Sequence, residues 1–364
     1  MKKTILMGIA ALLICGTVNA TSWRVCSKPE AGANFTSVAA AVASNLVFAG
    51  DTLYLEPGHY EENTVNITKK LVIIGPGYFF EENGINAANP GEAVFGRGFN
   101  MSKGVTVIGC KSNYNINLSD STTLDRCALY KGDWGYAISG ADVDNVMVKN
   151  CFIFGNIHYY NGNGRGPSYN NIFQNNIIHG SFYDDYNNCY SFTIKNNTIV
   201  ADYVSTNPIE MVKAFQNSEI YNNIIINMTS EYRINVVNQV SDTIYYAQYA
   251  LQYFATNNVH HNILSNSPNN NFLNCAFNAS VENVLIWNNA NTFEEKYKHI
   301  ANGPAVGAGV NGTTCGAYGA VSGGRAYQPA GIPQYRPYIY DANIDDTPST
   351  NNTINASFKI KVQQ

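Results

Sequence analysis

Two neighbouring stretches hold the side chains best suited to chemistry, "GNIHYYNGNGRGPSYNN" at 155–171 and "SFYDDYNN" at 181–188. The first places His158, Tyr159 and Tyr160 ahead of a glycine-rich run that carries Arg165. The second sets Tyr183 beside the adjacent carboxyls Asp184 and Asp185, and "SEYR" further on supplies Glu231 and Tyr232. Tyrosine offers a flat apolar ring with a polar tip, suited to stacking on ring-shaped polar ligands. Paired acids serve glycoside hydrolysis when held about 5 to 9.5 Å apart. They also hold Ca²⁺, which in lyase chemistry neutralises a uronate so that a basic group can remove its α-proton. Catalytic roles therefore fall to Asp184, Asp185 and Arg165, with Ca²⁺ as the one cofactor this chemistry admits. Binding roles fall to His158, Tyr159, Tyr160, Tyr183, Glu231 and Tyr232. Successive strand residues point to opposite faces, so Asp184 and Asp185 act together only from a loop.

The elements that must position these residues are coils of a repeat. Asparagine pairs recur inside apolar runs, in "FQNNIIHG", "TIKNNTIV", "EIYNNIIINM" and "LIWNNANT". Taking the second asparagine as a marker gives Asn176, Asn197, Asn223 and Asn289, and "VHHNILS" adds Asn262. "VIGCKSN", "LDRCALY" and "VKNCFIF" put Cys110, Cys127 and Cys151 in the same frame. Intervals between markers range from 17 residues (110 to 127) to 39 (223 to 262), so a strict short repeat is excluded. Three positions before each marker stands an apolar residue, from Val107, Leu124 and Val148 through Phe173, Ile194 and Ile220 to Val259 and Ile286. Two positions after it, Leu129, Ile153, Ile178, Ile199, Ile225 and Leu264 continue the inward face of a strand.

The alternation breaks just before the marker, at Gly109, Arg126, Asn150, Asn175, Asn196, Asn222, His261 and Asn288. Glycine and asparagine tolerate the left-handed backbone region, so this position turns the chain. The marker then faces inward, where amides stacked at roughly 4.8 Å satisfy one another and form an internal ladder. Eight residues past a marker stand Tyr159, Asp184 and Glu231, and nine past it Tyr160, Asp185 and Tyr232, which would bring these residues to one outer patch. Directly after the marker, Phe152, Ile177, Ile224 and Ile263 should face outward although they are apolar. A covering loop or a binding surface would explain them.

The chain opens with "MKKTILMGIAALLICGTVNA", two lysines, an apolar stretch and a V-N-A ending, which reads as a secretory signal cut after Ala20. A secreted, periplasmic or cell-surface protein is expected, with no further run long enough to span a bilayer. Net charge of −4 with 13% charged residues, and no basic stripe, argues against nucleic acid as a partner. Abundant Asn and 25 Tyr suit neutral polar ligands instead. Seven cysteines follow the signal (26, 110, 127, 151, 189, 275 and 315), an odd number that leaves at least one thiol unpaired. Buried free thiols and a single bridge both fit the stacked Cys110, Cys127 and Cys151. No C-x-x-C, G-x-S-x-G, P-loop or dinucleotide motif is present.

After "TSWRVC", "NFTSVAAAVASN" carries an apolar helical stripe at Phe35, Val38, Val42 and Leu46. It leads into "GDTLYLEPGHY", with Gly50, Asp51, Leu53, Leu55, Pro57, Gly58 and Tyr60. These features resemble right-handed parallel β-helix proteins of the pectate-lyase-like superfold, in which a short helix caps the first coil. The tail "GPAVGAGVNGTTCGAYGA" and its continuation resemble the ending of secreted β-helix proteins of Bacteroidetes. The resemblance implies an all-β solenoid with a signal at 1–20, a strand and capping helix at 21–49, coils at 50–300 and an irregular closing segment at 301–364. It also implies ligands in a groove outside one sheet, here a polysaccharide or glycan met by a non-catalytic binding or adhesive module. A lyase or hydrolase on such a glycan, and a structural surface protein, are the competing readings.

Overall fold

The computed structural model describes residues 20–60, 63–83, 91–160, 166–184, 189–201, 215–227, 258–260, 262–264, 280–319, 326–333, 337–344 and 356–362. Short strands follow one another in a fixed cycle. Thr52–Leu55, Gly58–Tyr60 and Val65–Ile67 make one coil, and Val72–Ile74 starts the next. Each strand pairs in parallel with its counterpart one coil on: Leu53 with Ile73, Ile73 with Val107, Val107 with Leu124, and finally Ile220 with Val259. Stacking the coils builds three long parallel sheets, of ten, nine and six strands among the described residues, and a short fourth of three, and the chain is a parallel β-helix. Ser22–Val25 already pairs with Thr52–Leu55 at the N-terminal edge. Helix Val38–Ala43, whose first turn is capped by the Ser37 side chain, buries Val38, Ala41 and Val42 in the same core. Leu46 is 59% exposed, because the helix ends before reaching it.

The marker sits at the sharp corner between the ten-stranded and nine-stranded sheets. Gly109, Arg126, Asn150, Asn175, Asn196 and Asn222, directly before it, all have φ between 52° and 63°. A second left-handed column lies six residues before the marker, at Gly104, Ser121, Asn145, Asn170, Ser191 and Asn217. Both ends of each ten-stranded-sheet segment are thus bent the same way, and loop-length variation is confined to the other turns. Behind the corner the ladder is continuous. The Cys151 amide donates to Asn176 Oδ1 (3.0 Å), Asn176 N to Asn197 Oδ1 (3.0 Å), Asn197 N to Asn223 Oδ1 (2.9 Å) and Asn223 N to Asn262 Oδ1 (2.9 Å). Cys110, Cys127 and Cys151 extend the column as buried thiols outside any disulfide, with Cys127 N donating to Cys151 Sγ at 3.4 Å.

Asn289 corrects the expected ladder. It lies exposed in a 3-10 turn, Trp287–Asn289, outside the coils. Ser280 and Asn283 form a reciprocal capping box that starts helix Val281–Val284, so the apolar residues before the Asn-Asn pair enter a helical turn instead of a strand. From there the chain leaves the solenoid, and the segment expected to close its end lies along its flank.

That segment explains the apolar outward column. Phe152, Ile177, Ile224 and Ile263 form a second core with Val281, Val284, Leu285, Tyr297, Ala317 and Tyr327. The left-handed corner residues hold the segment by their side chains. Asn222 Oδ1 accepts from Val310 N (2.9 Å), Asn196 Nδ2 donates to Thr314 O (3.3 Å), Asn175 Nδ2 to Ala317 O and Gly319 O (2.9 Å each), and Arg126 Nη1 to Ile332 O (2.7 Å). The segment therefore runs as a strap back toward the N-terminal coils. Beyond it, Pro337–Ile344 and Ala356–Val362 pair antiparallel. The strap closes where Tyr78 N donates to Ala330 O at 2.8 Å. Gly331 there has φ of 52°, and a Cβ on it would come within 2.1 Å of the Tyr78 ring. Gly331→Ala is expected to loosen the strap at a cost of about 2 kcal/mol, from overpacking and left-handed strain. Faster limited proteolysis after residue 300 with an unchanged solenoid core would register it, and wild-type resistance would contradict the packing described.

Candidate functional site: the outer face of the six-stranded sheet

Among the described residues the strap contacts lie on the nine-stranded sheet and its corner, and the six-stranded sheet presents a different outer face. Its strands are Val65–Ile67, Phe99–Met101, Ile116–Asn117, Tyr136–Ala141, Asn156–Tyr160 and Phe182–Asp184. Inward positions are apolar and buried, including Val65, Ile67, Phe99, Ile116, Ile157 and Phe182. Alternation sends the intervening residues outward. Register then stacks Asn66, Asn100, Asn117, Ser139 and His158 in one column along the solenoid axis, and Tyr183 takes the next register position.

Two kinds of side chain follow one another in this column. At the N-terminal coils the amides bond in series, Asn117 Nδ2 donating to Asn100 Oδ1 and Asn100 Nδ2 to Asn66 Oδ1, each at 2.6 Å. At the later coils the column becomes aromatic. A register shift between Tyr136 and Ile138 re-aims Tyr136, whose ring stacks on His158 with centroids 4.2 Å apart and planes 24° off parallel. Tyr160 stacks on the other ring neighbour of the strand, 5.2 Å from His158 at 28°. The turn leading into Tyr136 carries Trp134, 84% exposed, and Asp133, whose carboxylate accepts from Tyr114 Oη at 2.7 Å.

His158 and Tyr160 thus lie on this outer face, both half-buried. Tyr159 does not. Standing between two outward residues it must point inward, and it is 1% exposed, edge-on to Phe192 at 5.2 Å and opposite Gly140, whose missing side chain makes room for the ring. Burial pushes its hydroxyl well above the usual tyrosine range. The register does bring Asp184 opposite Tyr159, one coil on, and Tyr183 opposite His158. Strand Phe182–Asp184 ends there, and Asp185, Arg165, Glu231 and Tyr232 lie outside the described residues. Among the described residues no group of three His, Cys, Asp or Glu side chains is placed to hold a metal ion. No helix among them is long and apolar enough to cross a membrane.

Sequence reasoning missed Asn66, Asn100, Asn117, Tyr136 and Trp134. They precede or interrupt the marker frame, and only the pairing of unequal coils brings the three asparagines into line with His158 and Tyr136 onto its ring. An outward asparagine between two apolar neighbours, as in "VNI" and "FNM", was the available signal.

Elsewhere, His179 packs in the second core between Phe154 and Tyr297, its Nδ1 hydrogen-bonded to the Tyr297 hydroxyl. Glu294 is fully buried under the strap. Its carboxyl bonds to the Tyr327 hydroxyl, Asn83 Nδ2 (2.5 Å) and Ala330 N (3.0 Å). Burial outweighs these donors and pushes its pKa up to about 7. Its partners among the described residues are Tyr327, Ala330 and Asn83, so this perturbed acid ties the strap to an early coil.

No family model matches the chain, and no curated protein matches it. Among solved structures, the crystal structure of pectate lyase Pel9A aligns over 81% of this chain and 93% of its own, at 13% identity and a TM-score of 0.37. The assignment as a parallel β-helix stands on the coil register described above.

Proposed function

We propose that the protein recognises a polysaccharide or glycan on the outer face of its six-stranded sheet, as a non-catalytic binding module acting outside the cytoplasm. The observation that carries this reading is the stack of Tyr136, His158 and Tyr160 beside the exposed Trp134, in line with a row of amides. Aromatic rings supply the flat apolar surface that a sugar face covers, and amides supply donors and acceptors for its hydroxyls. The leader-like first 20 residues support a location beyond the membrane. Binding is favoured over turnover because catalysis needs convergent ionisable groups. On this face His158 is stacked between two rings, and Asp133 is engaged by Tyr114.

Affinity electrophoresis of the protein through gels containing a panel of polysaccharides tests the reading. Retardation by at least one glycan is expected, with Tyr136→Ala weakening it about tenfold, the equivalent of ~1.4 kcal/mol. Migration unaffected by every glycan would remove the reading. Release of unsaturated products or new reducing ends would convert it to a lyase or hydrolase, with Asp184, Asp185 and Arg165 as the first substitutions.

A further inference from the structure

The row of asparagines ahead of the aromatic stack has a chemistry of its own. Asn66, Asn100 and Asn117 stand on three successive coils, exposed or half-buried, with their side-chain amides bonded head to tail in one sense. The internal ladder at the opposite corner is fully buried and holds the coils together. The outer row faces water, where its amides add little to folding because solvent competes for the same bonds.

Asn100 uses one N–H and one lone pair on its neighbours and keeps one of each, while Asn66 uses only a lone pair and Asn117 only an N–H. The retained groups form a strip of alternating donors and acceptors spaced by the coil rise. Hydrogen-bonded amides polarise one another, so the retained groups are better donors and acceptors than isolated ones. From Asn66 to His158 the column contains no carboxylate and no Lys or Arg. Four coil spacings of ~4.8 Å give it a length of about 19 Å.

We propose that this amide row makes the face selective for a neutral, extended glycan lying parallel to the solenoid axis, its hydroxyls on Asn66, Asn100 and Asn117 and one ring face on the Tyr136, His158 and Tyr160 stack. The proposal rests on the glycan-recognition reading and narrows it to a substrate class and a direction. An amide strip exchanges hydrogen bonds with hydroxyls at no charge cost. A polyuronate laid on the same strip would lose hydration at each carboxylate and meet no Lys or Arg within the column to offset it. The rise per sugar of an extended chain is of the same order as the coil rise, so successive units can meet successive amides.

The test is the apparent dissociation constant of the full-length mature protein for linear β-glucan and galactomannan, with polygalacturonate as the acidic comparison, without added divalent cations. At least tenfold tighter binding to one neutral polymer is expected. Asn100→Ala combined with Asn117→Ala should weaken that binding about tenfold with the melting temperature held within a few degrees. Preference for polygalacturonate would overturn the inference and leave glycan recognition standing. So would neutral binding that depends on Tyr136 but ignores both asparagines. Absence of binding to any polymer would overturn both. The wild-type preference requires no variant to fold, and Asn117→Thr, which keeps a hydroxyl outward, should recover part of what the alanines lose.

Discussion

Asn197→Ala should destabilise the solenoid by about 3–5 kcal/mol, the range for breaking a buried hydrogen-bond network. Its Oδ1 accepts from both Asn176 N and Asn176 Nδ2 at 3.0 Å, and its Nδ2 donates to Phe173 O (2.9 Å), Lys195 O (3.1 Å) and Asn223 Oδ1 (3.1 Å). Alanine leaves the Asn176 amide and the Phe173 carbonyl without these partners in a site no water reaches, since Asn176 and Asn197 are both 0% exposed. Cys127→Ala, three rungs earlier in the same column, removes a weak sulfur donor to Val107 O and Asp125 O and should cost only about 1 kcal/mol. Denaturant midpoints of the two variants decide the matter. Equal losses would mean that the column is held by shape alone and that the amide network contributes nothing beyond filling space.

Stability should fall as pH rises from about 4.5 to 7, and Glu294 is the group responsible. Its carboxyl is lifted from the ordinary 4.5 to about 7, chiefly by burial, against the hydrogen bonds of Tyr327, Ala330 and Asn83 and helped by the charge on Glu82. The neighbouring hydroxyls of Tyr78, Tyr318 and Tyr327 are held above their usual range by burial and by Glu294 itself, so they stay protonated throughout. Below the unfolded value both states carry the proton. Between the two values the folded protein keeps a proton that the unfolded chain has released, so raising the pH favours unfolding. Above the folded value the loss is complete, and at roughly 1.4 kcal/mol per unit it amounts to about 3 kcal/mol.

Glu294→Gln should remove this slope and stabilise the strap at pH 8. The change is tolerable because Tyr327 Oη also bonds to Tyr78 Oη at 2.9 Å, and the pair can reverse so that Tyr327 accepts from the new amide. Melting curves at pH 5 and pH 8 for both proteins check the prediction. A wild-type protein equally stable at both, or a Gln variant with the same slope, would show that another group carries the pH dependence. Glu294→Ala, by contrast, leaves Asn83, Ala330 N and Tyr327 facing a cavity and should be worse than wild type at every pH.

The strap gives the corner residues a second role. Asn175, Asn196 and Asn222 adopt left-handed backbone to turn the chain, and their side chains, projecting outward, reach the strap backbone. Arg126 fills the same position at φ 54° without the usual Asn or Gly, and its guanidinium reaches Ile332 O.

What the sequence determined by itself was everything that repeats once per coil. Inward apolar residues, left-handed corner residues and the buried marker each occupy a fixed offset, because strand alternation and the left-handed bend are local properties of a few consecutive residues. What only the tertiary structure decided was whatever depends on how unequal coils line up and on what lies over them. Tyr159 looked like part of an outer patch until Asn156–Tyr160 proved to be a strand that turns His158 and Tyr160 outward and Tyr159 into the core. Asn289 carried the marker's spelling, but a capping box two turns earlier had already redirected the chain. The outward apolar column made sense only once the segment beyond residue 280 folded back over it. Local spacing says which way a side chain points relative to its own strand; which surface that direction meets depends on contacts between residues far apart in the chain, and these the spacing does not encode.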